Sequence, residues 1–227
     1  MKQNFVTSND PRGRDATDLF RRCYDRAQLV DGSAQYFNDN PETTRMLLEV
    51  IQECSVPSFR KFELLVDLGI VEIDKDYVHS NCLDSFGLRN RNKFSEYNDA
   101  ITDLNFPNPS RILKPGDKLW VRVFNQISNR TTTSDERMAF LATLGAIHTG
   151  AQGASIVWEQ KRAHLPKGLF YSSFDEKDHL WQDHDGNHGI PRIDAYQDSI
   201  YEFHLGYYEN DAWFKGDCMF CFNELPS

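Results

Sequence analysis

The sequence predicts an α+β fold: a helical N-terminal part, then a mainly antiparallel β part with one short helix. Three observations lead there. Before residue 60, apolar residues recur at helical spacing, in Leu19, Phe20, Cys23, Tyr24 and Ala27 and again in Leu47, Leu48, Val50, Ile51 and Cys54. After residue 118 the chain alternates apolar and polar residues, as in LWVRVF from Leu119 to Phe124. Aromatic and β-branched residues, which suit a pleated surface, crowd the segments LFYSSF, SIYEFHLGYY and DCMFCFNEL.

In chain order, Asp15 or Thr17 can cap the first helix, and Asp31-Gly32 breaks it. Asn40-Pro41-Glu42 opens the second, since proline suits the first helical position, and Pro57 stops it. Ser58 can cap a third, PSFRKFELLVDLG, ending at Gly69, with a short strand from Ile70 to Ile73. Three helices and a strand would suit a winged-helix DNA reader with its recognition helix at residues 59–68. The acidic EIDKDYVHSNCLD that follows opposes a phosphate backbone. A short helix is expected from Lys93 to Leu104, and Asn105 to Ser110, with two prolines, is the best linker. These signals divide the chain into a helical subdomain over 1–80, a connecting segment over 81–110 and a β-rich domain over 111–227. Within the last, Lys114-Pro-Gly-Asp117 is a turn, and ERMAFLATLG is a helix capped by Ser134 and ended by Gly145. AIHTGAQGASIVWEQ reads as strand, glycine turn and strand around Gly150 and Gly153.

The net charge is −9, and residues 131–227 hold seven basic groups against fifteen acidic. That half repels nucleic acid and attracts cations. No apolar run of about 18 residues spans a membrane, and the N-terminus has no apolar signal region. Five scattered cysteines fit a reducing, cytoplasmic setting. Cys218 and Cys221 have redox spacing but lie in a strand-like run, so buried thiols are expected. The oligomeric state is left open.

Potential ligands concentrate in one window, Tyr171 to Asp194. It holds Asp175, Glu176, Asp178, Asp183, Asp185 and Asp194 with His179, His184 and His188. Asp183, Asp185, Asn187, His188 and Asp194 are the metal candidates, and calcium or zinc the divalent cation. From Asp183 to Asp194 the pattern resembles the calcium loop of EF-hand proteins. Asp183, Asp185 and Asn187 match its first ligand positions, Ile190 the apolar residue after the bend, and Asp194 the closing carboxylate. It departs at His188, where the family has glycine, at Pro191, and in strand-like flanks. The structural alternative is a hairpin tip, since Asp-Gly-Asn is turn chemistry.

Two other surfaces stand out. Trp181, Trp213, Tyr207 and Tyr208, beside acidic groups, suit a protein partner or a sugar. Arg89, Arg91 and Lys93, interleaved with aromatics, suit nucleic acid. No nucleophile elbow, Walker loop or dinucleotide fingerprint occurs. The leading expectation is therefore a non-catalytic protein-interaction module with an acidic, aromatic C-terminal surface. The alternatives are a metal-dependent hydrolase centred on the Asp175–His188 loop, and a nucleic-acid binder through residues 89–93.

Overall fold

Leu119, Val121 and Val123 face one side of strand β3 (Lys118–Gln126) and Phe124 the other, the alternation that a strand imposes. The same rule holds in β4 (Leu169–Ser172), β6 (His188–Ala195), β7 (Tyr201–Tyr207) and β8 (Asp217–Glu224). With β1 (Phe62–Glu72), β2 (Glu96–Tyr97) and β5 (Trp181–Gln182) they make an eight-stranded sheet in the order β1-β3-β8-β4-β6-β7-β2, with β5 beside β6. The sheet is mixed: β4 runs parallel to β8 and β2 to β7, and the other pairs are antiparallel. This computed structural model describes residues 61–209 and 212–225, all within the compact unit Val56–Ser227.

Helices cover both faces. On one side, Leu83 and Phe86 of α1 (Cys82–Asn90) and Ala151, Ala154, Val157 and Trp158 of α3 (Gly150–Lys161) join Tyr171, Ile193, Phe203 and Phe220 in a core. On the other, Phe140 and Leu141 of α2 (Ser134–Thr143) pack with Phe62, Phe124, Met219 and Trp213. Thr133 caps α2 in a reciprocal capping box with Glu136. Contact between α3 and the sheet is close: a Cβ on Gly153 would collide with Thr149 Oγ1 and lie 2.9 Å from Phe222 Cζ. Gly153→Ala is expected to destabilise the fold by roughly 1–3 kcal/mol, as overpacking does, read by chemical denaturation.

Arg137 is fully buried on the α2 face. Its Nε donates to Thr132 Oγ1, its Nη1 to the Asp217 carbonyl and its Nη2 to Gln126 Oε1, at 3.0, 2.7 and 2.9 Å. The Phe62 and Trp213 rings flank the guanidinium. Burial lowers its pKa to about 10 against the pull of Asp217. The side chain thus ties α2, the end of β3 and the start of β8 together.

This architecture corrects the predicted fold class. Over the described residues there is no helical N-terminal part: Phe62 to Glu72, read as helix as far as Gly69, is strand β1 paired with β3. The recognition helix expected at 59–68 is strand from Phe62 onward. Instead of a mainly antiparallel part with one helix, a large mixed sheet carries three short helices, all later than β1. The helix expected over Lys93–Leu104 gives way to a 3-10 turn at Arg91–Lys93 and to β2. The strand-turn-strand around Gly150 and Gly153 is helix α3. The helices expected around Leu19–Ala27 and Leu47–Cys54 lie outside the described residues. Among those residues, no helix is long and apolar enough to cross a membrane.

Candidate metal centre

Residues two apart in a strand share a face, and residues paired across strands stand side by side. In β6 this aligns Arg192 and Asp194, in β7 Glu202 and His204. The antiparallel register pairs Arg192 with His204 and Asp194 with Glu202. Four polar side chains therefore meet on the α2 face of the sheet, where Ile193 and Phe203 between them point into the opposite core. One ligand atom each from Asp194, Glu202 and His204 lies within 4.8 Å of the others. Asp194 is 1 % exposed; Glu202 and His204 are half-buried.

The contacts here are crowded around His204 Nε2. Arg192 Nε approaches it at 3.1 Å, and Asp194 Oδ2 lies 2.8 Å away on the same nitrogen. A neutral imidazole nitrogen either donates or accepts, so one tautomer serves only one of these neighbours. Arg192 also donates through Nη2 to Asp194 Oδ2 at 3.0 Å. Its Nε lies 2.8 Å from Asp194 Oδ1, an ion pair without hydrogen-bond alignment, so that buried oxygen has no hydrogen bond among the described residues. Glu202 is held by Tyr196, whose hydroxyl donates to Oε2 at 2.9 Å, and by Ser95 Oγ, which donates to Oε1 at 3.4 Å. The face thus offers two carboxylates and an imidazole, with Arg192 paired to Asp194 as the counter-charge among the described residues.

The metal set predicted from sequence is spread over two places. Asp183, Asp185 and Asn187 form the turn between β5 and β6. Asp183 Oδ1 accepts from the amides of Asp185 and Asn187, each at 2.9 Å, the bonding of an Asx turn. Slight burial works against it, but these amides and the Asn187 side chain hold Asp183 below its usual range. His184 is exposed. His188 starts β6, its amide donating to Glu209 Oε2 and its Nδ1 lying 2.6 Å from Glu209 Oε1. Six residue steps along the strand, about 20 Å, separate His188 from Asp194. Asp194 joins instead Glu202 and His204, which the sequence reading did not single out. The pattern Glu-Phe-His within a strand was the available signal; its pairing with Asp194 needed the register.

Glu209 repeats the theme without the crowding. Burial pushes its carboxyl up, but the His188 amide and ring and Lys177 Nζ at 3.1 Å outweigh this and bring it down to about 2. A carboxylate depressed by folding stabilises above its ordinary value of 4.5 and loses that contribution as pH falls toward about 2. Glu209→Gln is therefore expected to flatten the loss of stability across that window, read as denaturation midpoint against pH.

The other candidates are placed as follows. Asp175 is buried and accepts from the Ser110 hydroxyl and amide and from the Glu176 amide; burial raises its pKa over these bonds. His179 Nδ1 contacts the Asn108 carbonyl. Trp213 is 4 % exposed, its Nε1 donating to Ser134 Oγ, and Trp181 is half-buried. Tyr207 is exposed, and the Tyr208 hydroxyl donates to Asp135. Arg89 pairs with Glu159, Arg91 with Asp99, and Lys93 donates to Asn90 Oδ1. Cys218 and Cys221 are buried in β8, and burial pushes the Cys218 thiol up to about 12. Cys82 lines a cleft of about 530 Å³ between α1 and α3, but burial raises its thiol to about 12 as well, which disfavours a nucleophilic thiolate.

Fold and site together define a mixed sheet, covered by helices on both faces, with a carboxylate–imidazole group on one of them. Comparison with protein-family models, with curated proteins and with solved structures finds no match.

Proposed function

We propose that this chain is a metal-dependent hydrolase whose ion is held by Asp194, Glu202 and His204. The observation that carries this is the convergence of the three ligand atoms within 4.8 Å on adjacent strands. Two carboxylates and one imidazole suit zinc, manganese or ferrous iron; the imidazole makes calcium a poorer match. With Asp194, Glu202 and His204 as its ligands, a divalent ion would keep an open coordination position and would supply an acidified water for hydrolysis near neutral pH.

Arg192 opposes the ion, since a guanidinium at hydrogen-bond distance from Asp194 and His204 occupies the same charges. It has another partner close by: its Nη1 lies 3.6 Å from Asp217 Oδ1. Arg192→Met is therefore expected to tighten metal binding by roughly tenfold, the scale of one like charge removed from a partly buried site. Titration calorimetry with zinc and with manganese reads it. A weaker ion in the variant would mean that the three residues do not form the site.

A further inference from the structure

Arg192 also borders a cavity of about 330 Å³, walled by Phe170, Trp213, Phe214 and Tyr207 and flanked by Lys215 and Asp217. Two aromatic rings at this cavity are exposed, Phe214 by 58 % and Tyr207 by 39 %. The Phe214 backbone is held in place, because its amide donates to Asp217 Oδ2 at 2.6 Å and its carbonyl accepts from the Asp217 amide at 3.0 Å. Holding an exposed ring on a tight turn beside a cavity costs apolar solvation that burying it against a ligand recovers. Arg192 lines the cavity; the contact of its Nη1 among the described residues is the 3.6 Å approach to Asp217, while Nε and Nη2 serve His204 and Asp194. The guanidinium carbon lies over Phe170, 5.0 Å from the ring centroid.

We propose that this cavity binds the substrate, a small molecule in which an aromatic ring carries an anionic oxyacid group. The oxyacid takes the donors of Arg192 Nη1 and Lys215 Nζ, and the ring packs between Phe214 and Tyr207. A guanidinium and an ammonium lining one cavity are the recognition chemistry of phosphate, sulfonate and carboxylate. Net charge supports it: among the described lining residues two cations face one carboxylate. The inference rests on the hydrolase reading for its placement beside the ion. An ion on Asp194 and His204 would release Arg192 Nε and Nη2 from them and so add donors for the anion beside Nη1, which would make the two binding events mutually favourable.

The test is calorimetric titration of the full chain with benzenesulfonate, an anion that ligates metals poorly, and with benzyl alcohol as its uncharged counterpart. Both the chelator-treated and the zinc-treated protein are used. Benzenesulfonate is expected to bind and benzyl alcohol not to. Lys215→Gln, which removes one charge-assisted contact, and Phe214→Ala, which removes the packing of one aromatic ring, are both at exposed positions and should each weaken binding about tenfold. Absence of benzenesulfonate binding in both preparations, equal binding of benzyl alcohol, or indifference to both substitutions would overturn the proposal. A parallel zinc titration without benzenesulfonate reports on the metal reading alone. Zinc binding without benzenesulfonate binding defeats only the cavity assignment; benzenesulfonate binding without zinc binding defeats only the metal.

Discussion

Asp194→Asn lowers zinc or manganese affinity by more than about 100-fold, since a direct ligand should exceed the 10–100-fold loss seen on removing an outer partner. The substitution keeps the shape of the side chain and removes the charge that both Arg192 and the proposed ion require. Because Asp194 is buried and paired, the variant will also lose stability, so its midpoint of denaturation is needed beside the titration. Glu202→Gln supplies a gentler second case. Glu202 is half-buried and held by Tyr196 and Ser95, so the variant should fold normally and still bind the ion at least about tenfold more weakly. Unchanged affinity in both variants, with folding intact, would leave this group as a salt-bridged patch of sheet.

The largest effect on stability is expected at a distance from the ion. Arg137→Ala should cost about 3–5 kcal/mol, the range for breaking a buried charged network and opening a cavity. Truncation leaves Gln126 Oε1 and the Asp217 carbonyl without their guanidinium donors, and removes the cation between the Phe62 and Trp213 rings. Arg137→Lys should recover only part of it, because an ammonium cannot span three acceptors with a planar fork. Equilibrium unfolding in urea reads both. A loss below about 1 kcal/mol for Arg137→Ala would mean that water enters and satisfies the acceptors.

The sequence was most legible where alternation ran undisturbed. In β3, β4, β7 and β8 each strand carries a clean period of two or a short apolar run between turn residues. It misled where local geometry broke the period. β1 has register shifts between Leu64 and Val66 and between Asp67 and Gly69, and these irregularities spread Phe62, Leu65 and Leu68 at helical spacing. In α3 the opposite problem arises: Gly150 to Trp158 is buried all round, so no polar stripe marks a helix, and Gly153 is small because the sheet is close.

The site shows the same division. The Asp183–Asn187 turn was readable, because Asp-Gly-Asn chemistry is local. Asp194 was singled out as the last ligand of a contiguous loop, but an extended strand carries it about 20 Å from that loop. Glu202 and His204 acquire meaning only through the pairing of β6 with β7, a non-local relation that periodicity does not encode.

The proposed function stands or falls with a divalent ion on Asp194, Glu202 and His204. The most direct measurement is the metal content, by elemental mass spectrometry, of the full chain and of its His204→Ala variant, each equilibrated with zinc and desalted. A stoichiometric ion in the parent protein, lost in a variant that remains folded, is the expected result. An equal metal content in both, or no ion in the parent protein, would contradict it.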